Sequence, residues 1–218
     1  MPSPFDQSTY QVRLDWGVEG LSRLAAADVV VVVDVLRFSS SVADAVAAGA
    51  SVPLAEAVAW SRNGAAVAAA AEPAVVLLAG LRNASAVARA VVAVQERRQS
   101  RTSVSVIAAG ELDEAGVLRF AVEDHLGAGA VIAALTDLGI DHTSPDAAVA
   151  AEGFRALRRA LRHMIGASGS ARELSDAVSA SDRMIAVGVA PTSVADAAEL
   201  DAIDAVPILE GGVFVAFE

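Results

Sequence analysis

Five consecutive valines, Val29 to Val33, run directly into Asp34 and Val35. A β-branched run of this density is crowded in a helix and lacks the alternation of a strand with one wet face. It reads as a strand covered on both sides, the mark of a parallel sheet held between two helical layers. The apolar stretch 25–35 carries Asp28 and Asp34 and is too short to cross a bilayer.

Further strand signals at 11–16, 51–54, 74–78, 103–108, 205–209 and 213–217 are interleaved with helix signals. The helices read as 39–48, 65–71, 83–97, 121–138, 144–164, 171–179 and 193–200. Hydroxyl caps precede the first of these and Gly49 ends it, while Ser144-Pro145 opens another. The alternation predicts an α/β fold, a mostly parallel sheet with helices on both faces. No Pro/Gly/Ser-rich linker interrupts residues 1–218, which predicts a single domain. Gly211-Gly212 between two short strands predicts a C-terminal hairpin at a sheet edge. Gly127 and Gly129 lack the third glycine of a dinucleotide fingerprint and sit within a helix pattern, which points to tight helix packing.

With 55% hydrophobic but only 4% aromatic residues, the core must be built from Ala, Val, Leu and Ile. The net charge is −11 and no Lys occurs, so every fixed side-chain cation is Arg. That balance argues against nucleic acid or an anionic membrane as partner. It leaves room for a small anionic ligand met by a local Arg. The absence of Cys excludes disulfides, thiol chemistry and a zinc thiolate site. No basic and apolar leader pattern opens the chain, so a cytoplasmic location is expected. The mean hydropathy of +0.51 leaves apolar surface for a homo-oligomer, and the Ala/Val/Arg bias suggests a GC-rich bacterial source.

Ligands of open α/β sheets bind beyond the carboxyl ends of the strands, and three such loops carry chemistry. In the first, Asp34 is followed by Arg37 and then Ser39, Ser40 and Ser41. Asp34 can hold a divalent metal or act as nucleophile, Arg37 can grip two phosphate oxygens, and the helix start offers unpaired N–H groups. The same residues also make an ordinary capped helix with an Asp34–Arg37 ion pair. The second loop runs from Gly80 to Asn83 and Ser85, and equally suits a capped turn. The third runs from Gly110 through an acidic excursion to Glu123-Asp124-His125, where the carboxylates can bind Mg²⁺ or complement a helix dipole. His125, His142 and His163 have no metal-ligand spacing, and Arg155, Arg158, Arg159 and Arg162 read as a solvated helix face. A haloacid dehalogenase phosphatase needs a second Asp two residues after the first, where Leu36 stands.

In their order along the chain, Asp-Val-Leu-Arg (34–37) with its serines, Asn-Ala-Ser-Ala-Val-Ala (83–88), Ala-Gly (109–110), Glu-Asp (123–124) with Ala-Gly (128–129), and the tail 205–210 resemble the 2-phosphosulfolactate phosphatase family. These are Mg²⁺-dependent phosphatases of coenzyme M biosynthesis. The resemblance implies hydrolysis of 2-phosphosulfolactate, or a related small phosphorylated acid, to the free acid and phosphate. It implies Asp34, Arg37, Asn83, Glu123 and Asp124 as catalytic residues, with Asp34, Glu123 and Asp124 on the metal. Arg37, Ser39, Ser40, Ser41, Asn63, Asn83, Ser85 and Gly110 would then bind substrate. Either a metal-assisted water or Asp34, through an aspartyl-phosphate, would attack phosphorus. The family's central Gly-Glu-Arg and Gly-Phe-Asp-x-Gly-Asn-Ser-Pro segments have no counterpart, and Asn63-Gly64 stands where Thr-Thr-Asn-Gly-Thr is expected. That loss motivates an alternative, a catalytically silent anion-binding or scaffold protein on the same fold.

Overall fold

The computed structural model describes residues 3–61, 63–113, 115–176 and 178–218. The chain runs β1 (Val12–Trp16), α1 (Gly17–Arg23), β2 (Val29–Val33), α2 (Phe38–Ala47), β3 (Val52–Pro53), α3 (Leu54–Ala57), α4 (Gly64–Ala70), β4 (Val75–Ala79), α5 (Ala84–Arg98) and β5 (Val104–Ala108). It continues through β6 (Glu111–Leu112), β7 (Leu118–Arg119), α6 (Val122–Asp137), α7 (Pro145–Leu157), α8 (Leu161–Gly166), α9 (Gly169–Asp176), α10 (Val178–Ala186), α11 (Val194–Ala197), β8 (Pro207–Glu210) and β9 (Val213–Ala216).

The main sheet has the order β1-β5-β2-β4-β8-β9-β3. Its first four strands are mutually parallel, and β8, β9 and β3 continue it antiparallel. The fold is therefore α/β with a mostly parallel sheet. The valine run explains its centre. Val29, Val31 and Val33 pack into a core with α5, α6 and α7, while Val30 and Val32 enter a second core with α2 and α4. None of the five is more than 2% exposed. Strand alternation sends successive side chains to opposite faces, so a strand between two helical layers must be apolar at every position.

Three expectations change. The predicted helix 144–164 divides into α7 and α8 around a 3₁₀ turn at Arg158–Ala160. No residue of that turn is buried, whereas Leu161 and Ile165 beyond it return to the core. The hairpin β8–β9 forms as expected, but β3 pairs with β9 and takes the edge. Around the predicted helix 171–179 stand two helices, α9 and α10, with residue 177 outside the described residues. Among the described residues no helix is long and apolar enough to cross a membrane.

Candidate active site

Strands β2 and β5 are neighbours in parallel register, with Val33 opposite Ala108. The chain leaves β2 for α2 on one face of the sheet and leaves β5, by way of the β6–β7 hairpin, for α6 on the other. Loops that diverge in this way open a crevice at the carboxyl ends of the strands. A cavity of about 130 Å³ lies there, smaller than the ~300–1,000 Å³ of drug-sized sites.

Asp34 enters the crevice one residue past β2. Its Oδ1 accepts from the Phe38 N–H at 3.1 Å and its Oδ2 from the Gly64 N–H at 3.2 Å. The carboxylate thus caps the start of α2 and ties that helix to α4. Burial pushes its pKa up from 3.8 to about 6; the Glu111 and Glu123 charges push the same way, against the two N–H bonds. The folded state therefore holds the proton more tightly than the unfolded chain. The stability Asp34 contributes is full below about pH 4 and is lost as pH rises through 6, on the order of 3 kcal/mol in all. Denaturation of the metal-free protein at several pH values, compared with Asp34→Asn, checks this. The wild type should lose stability relative to the variant between pH 4 and 7, and parallel profiles would refute it.

Asp124, in the first turn of α6, has another task. Its Oδ1 accepts from Val35 N–H at 2.7 Å and its Oδ2 from Gly110 N–H at 2.9 Å, joining the loops that follow β2 and β5. Its pKa lies well above the ordinary carboxylate range, first through burial and then through the Asp34 and Glu123 charges. Glu123 is 2% exposed and lines the same cavity. Glu111 on β6 joins them; burial, then the Glu173 charge, raises its pKa. Asn63 Nδ2 donates to the Gly110 carbonyl at 2.6 Å, and its buried Oδ1 has no partner among the described residues. Arg37 donates to Ser181 Oγ at 2.7 Å and makes no ion pair with Asp34. Burial lowers its pKa.

The cavity thus gathers Asp34, Arg37, Asn63, Gly110, Glu123 and Asp124 from the sequence-predicted set. It does not gather the serines. Ser39 Oγ bridges Val32 O and Asp34 N, Ser40 Oγ donates to Val35 O, and Ser41 Oγ accepts from Thr192 N. All three are buried and serve the backbone. Ser85 pairs with Asp201 through both its N–H and its hydroxyl. Asn83 closes its own turn: Oδ1 accepts from Gly80 N, and Nδ2 donates to Leu78 O and Ala205 O. Replacing Asn83 by Ala orphans these backbone groups and should cost about 3 kcal/mol. A lower denaturation midpoint is expected, with site chemistry per folded molecule unchanged.

Residues that the sequence did not mark complete the wall: Trp60, Glu111, Ser170, Glu173, Arg183 and Met184. Most come from α9 and α10, which no local pattern ties to the strand ends. Among the described lining residues, five carboxylates (Asp34, Glu111, Glu123, Asp124, Glu173) face two guanidiniums (Arg37, Arg183). Carboxylates are hard oxygen donors. Among the described residues no three acidic or imidazole side chains stand close enough to ligate one ion together. One or two of these carboxylates could serve a cation whose shell is otherwise completed by water and ligand oxygens, as that of Mg²⁺ usually is.

The fold and cavity define an α/β protein with a small polar crevice at the ends of its parallel strands. The profile of the family described as 2-phosphosulpholactate phosphatase matches residues 51–212, and the chain belongs to that family. The match takes in Asn63, Gly110, Glu123 and Asp124; Asp34 and Arg37 lie before it. No curated protein matches the chain.

Proposed function

We propose that the protein is a single-domain, Mg²⁺-dependent phosphomonoester hydrolase acting on 2-phosphosulfolactate or a closely related small phosphorylated acid. The carrying observation is the crevice itself: a buried Asp34, charge-coupled to Glu111 and Glu123, shares one small cavity with Arg37. Asp34 and Glu123 would hold the ion. When bound, Mg²⁺ offsets charge on the phosphoryl oxygens and makes a water more acidic.

The chain's own residues do the positioning. The Phe38 and Gly64 N–H groups fix the Asp34 carboxylate before substrate arrives. Arg37 spends one N–H on Ser181 and has others to pair with phosphoryl oxygens. Asp124 locks the two loops that carry Asp34 and Gly110 and so acts through them as a positioning residue. Water oxygen bonds to phosphorus as one of its O–H bonds breaks, the ester P–O bond breaks, and the released alcohol oxygen takes up the proton that the water gives up. Phosphoryl transfer of this kind asks mainly for positioning and charge stabilisation.

Phosphate release from 2-phosphosulfolactate and from a panel of phosphomonoesters, with Mg²⁺ and with EDTA, tests the reading. Turnover that EDTA abolishes and Mg²⁺ restores is expected. No turnover above an Asp34→Asn control on any ester overturns it. Phosphate binding without turnover would instead favour the silent anion-binding protein suggested by the missing central segments.

A further inference from the structure

Trp60 stands in the wall of the cavity and is 8% exposed. Its ring packs on Phe38, centroids 5.6 Å apart, and Phe38 packs in turn on Phe214 at 5.8 Å. The indole is therefore held rigidly. Its Nε1 donor is buried with no hydrogen-bond partner among the described residues. A buried, unmet donor costs about 1–3 kcal/mol, so its retention beside a cavity points to an acceptor brought by a ligand.

A second donor belongs to the same lining. Met184 is 1% exposed and belongs to the same core cluster as Trp60 and Phe38, which docks α10 against the site. The preceding residue, Arg183, lines the cavity with an exposed side chain and makes no ion pair among the described residues. Arg37, by contrast, comes from the strand end beside Asp34. The cavity thus has one cation on the loop that follows β2 and another on α10, and Trp60 belongs to the same lining.

We propose that Trp60 Nε1 and Arg183 bind a second, non-reacting acidic group of the substrate, a carboxylate or sulfonate, and so select phosphorylated acids over simple phosphate esters. The proposal rests on the phosphatase reading above. An indole N–H supplies direction and Arg183 supplies charge. A phosphate ester without an acidic group leaves both unused.

Two measurements test it. The first is kinetic: Trp60→Phe, which keeps an aromatic ring against Phe38, and Arg183→Ala, at an exposed position, assayed with 2-phosphosulfolactate and with phenyl phosphate. KM for the acid should rise about tenfold in each variant with kcat little changed, and KM for phenyl phosphate should stay put. Equal effects on both esters, or none on either, overturn the proposal while leaving the hydrolase reading standing. The second uses the wild type in Mg²⁺ with no turnover. The chain has two tryptophans, so its two indole N–H resonances can be assigned through Trp60→Phe and followed while sulfoacetate is added. A saturable downfield shift of the Trp60 resonance is expected, weakened in Arg183→Ala. That shift in a protein hydrolysing no ester would support the subsite and sink the hydrolase reading; an unmoved resonance at saturating sulfoacetate overturns the subsite.

Discussion

Asp34→Asn should reduce phosphate release by roughly 10³-fold or more while leaving a folded protein. Asn keeps the shape and one acceptor. Its carbonyl can still take the Phe38 N–H, but its amide must turn a donor toward the Gly64 N–H. The structural loss is one hydrogen bond, about 1 kcal/mol, and it is offset because the variant no longer buries a carboxylate whose pKa sits near 6. The functional loss is larger, because the group proposed to share the cation with Glu123 loses its charge. Activity per folded molecule should collapse while the melting temperature moves little. A variant retaining a tenth of wild-type turnover would remove Asp34 from the machinery.

Asp124→Asn is the instructive contrast. Asp124 accepts from Val35 and Gly110, and an amide can serve only one of these N–H groups as acceptor. Its effect should fall on the two loops, and thereby on stability and KM together, rather than on kcat alone. Both buried acids hold two backbone N–H groups, and the same substitution is expected to differ in outcome because only Asp34 is also proposed to hold the reacting ion.

How much of this was legible in the residues depends on whether the deciding contact was local. The valine run announced a strand covered on both faces, because five β-branched residues in succession crowd a helix and lack the alternation of a strand with one wet face. Gly211-Gly212 marked its hairpin for an equally local reason, the turn conformation. Asp34 and Arg37 stood out as charges at the mouth of that strand. The serines after them misled, since hydroxyls at a buried helix start satisfy backbone groups as readily as they meet phosphate, and Ser39, Ser40 and Ser41 are buried there. Trp60 and Arg183 were not legible at all. Their significance comes from α10 docking through Met184 near Phe38, a contact across about 150 residues that leaves no periodic trace. Only an isolated tryptophan in a chain so poor in aromatics offered a hint.

The other large effect is expected far from the chemistry, at Gly129→Ala. A Cβ at this position in α6 would lie 2.2 Å from the Ala150 carbonyl oxygen and 2.8 Å from its carbon, both backbone atoms of α7, and 2.9 Å from Phe154 Cβ. No rotamer change relieves a clash with backbone, so the two helices must part. Parting them opens the core formed by Val131, Ile132, Ala150 and Phe154, at a cost on the order of 4 kcal/mol, or about 10 °C in melting temperature. Because α6 also carries Glu123 and Asp124 in its first turn, surviving folded molecules should show weakened turnover as well. Gly153→Ala on α7 supplies the control. There a Cβ meets only His125 Nε2, at 3.7 Å, and Ala replaces Gly in a helix interior, which stabilises by up to about 1 kcal/mol. Opposite signs from two Gly→Ala changes at one helix pair would establish that Gly129 is there to let backbone meet backbone. Equal, small effects would mean that α6 and α7 do not touch at Gly129 in solution, and the position of Glu123 and Asp124 over the strand ends would lose its anchor.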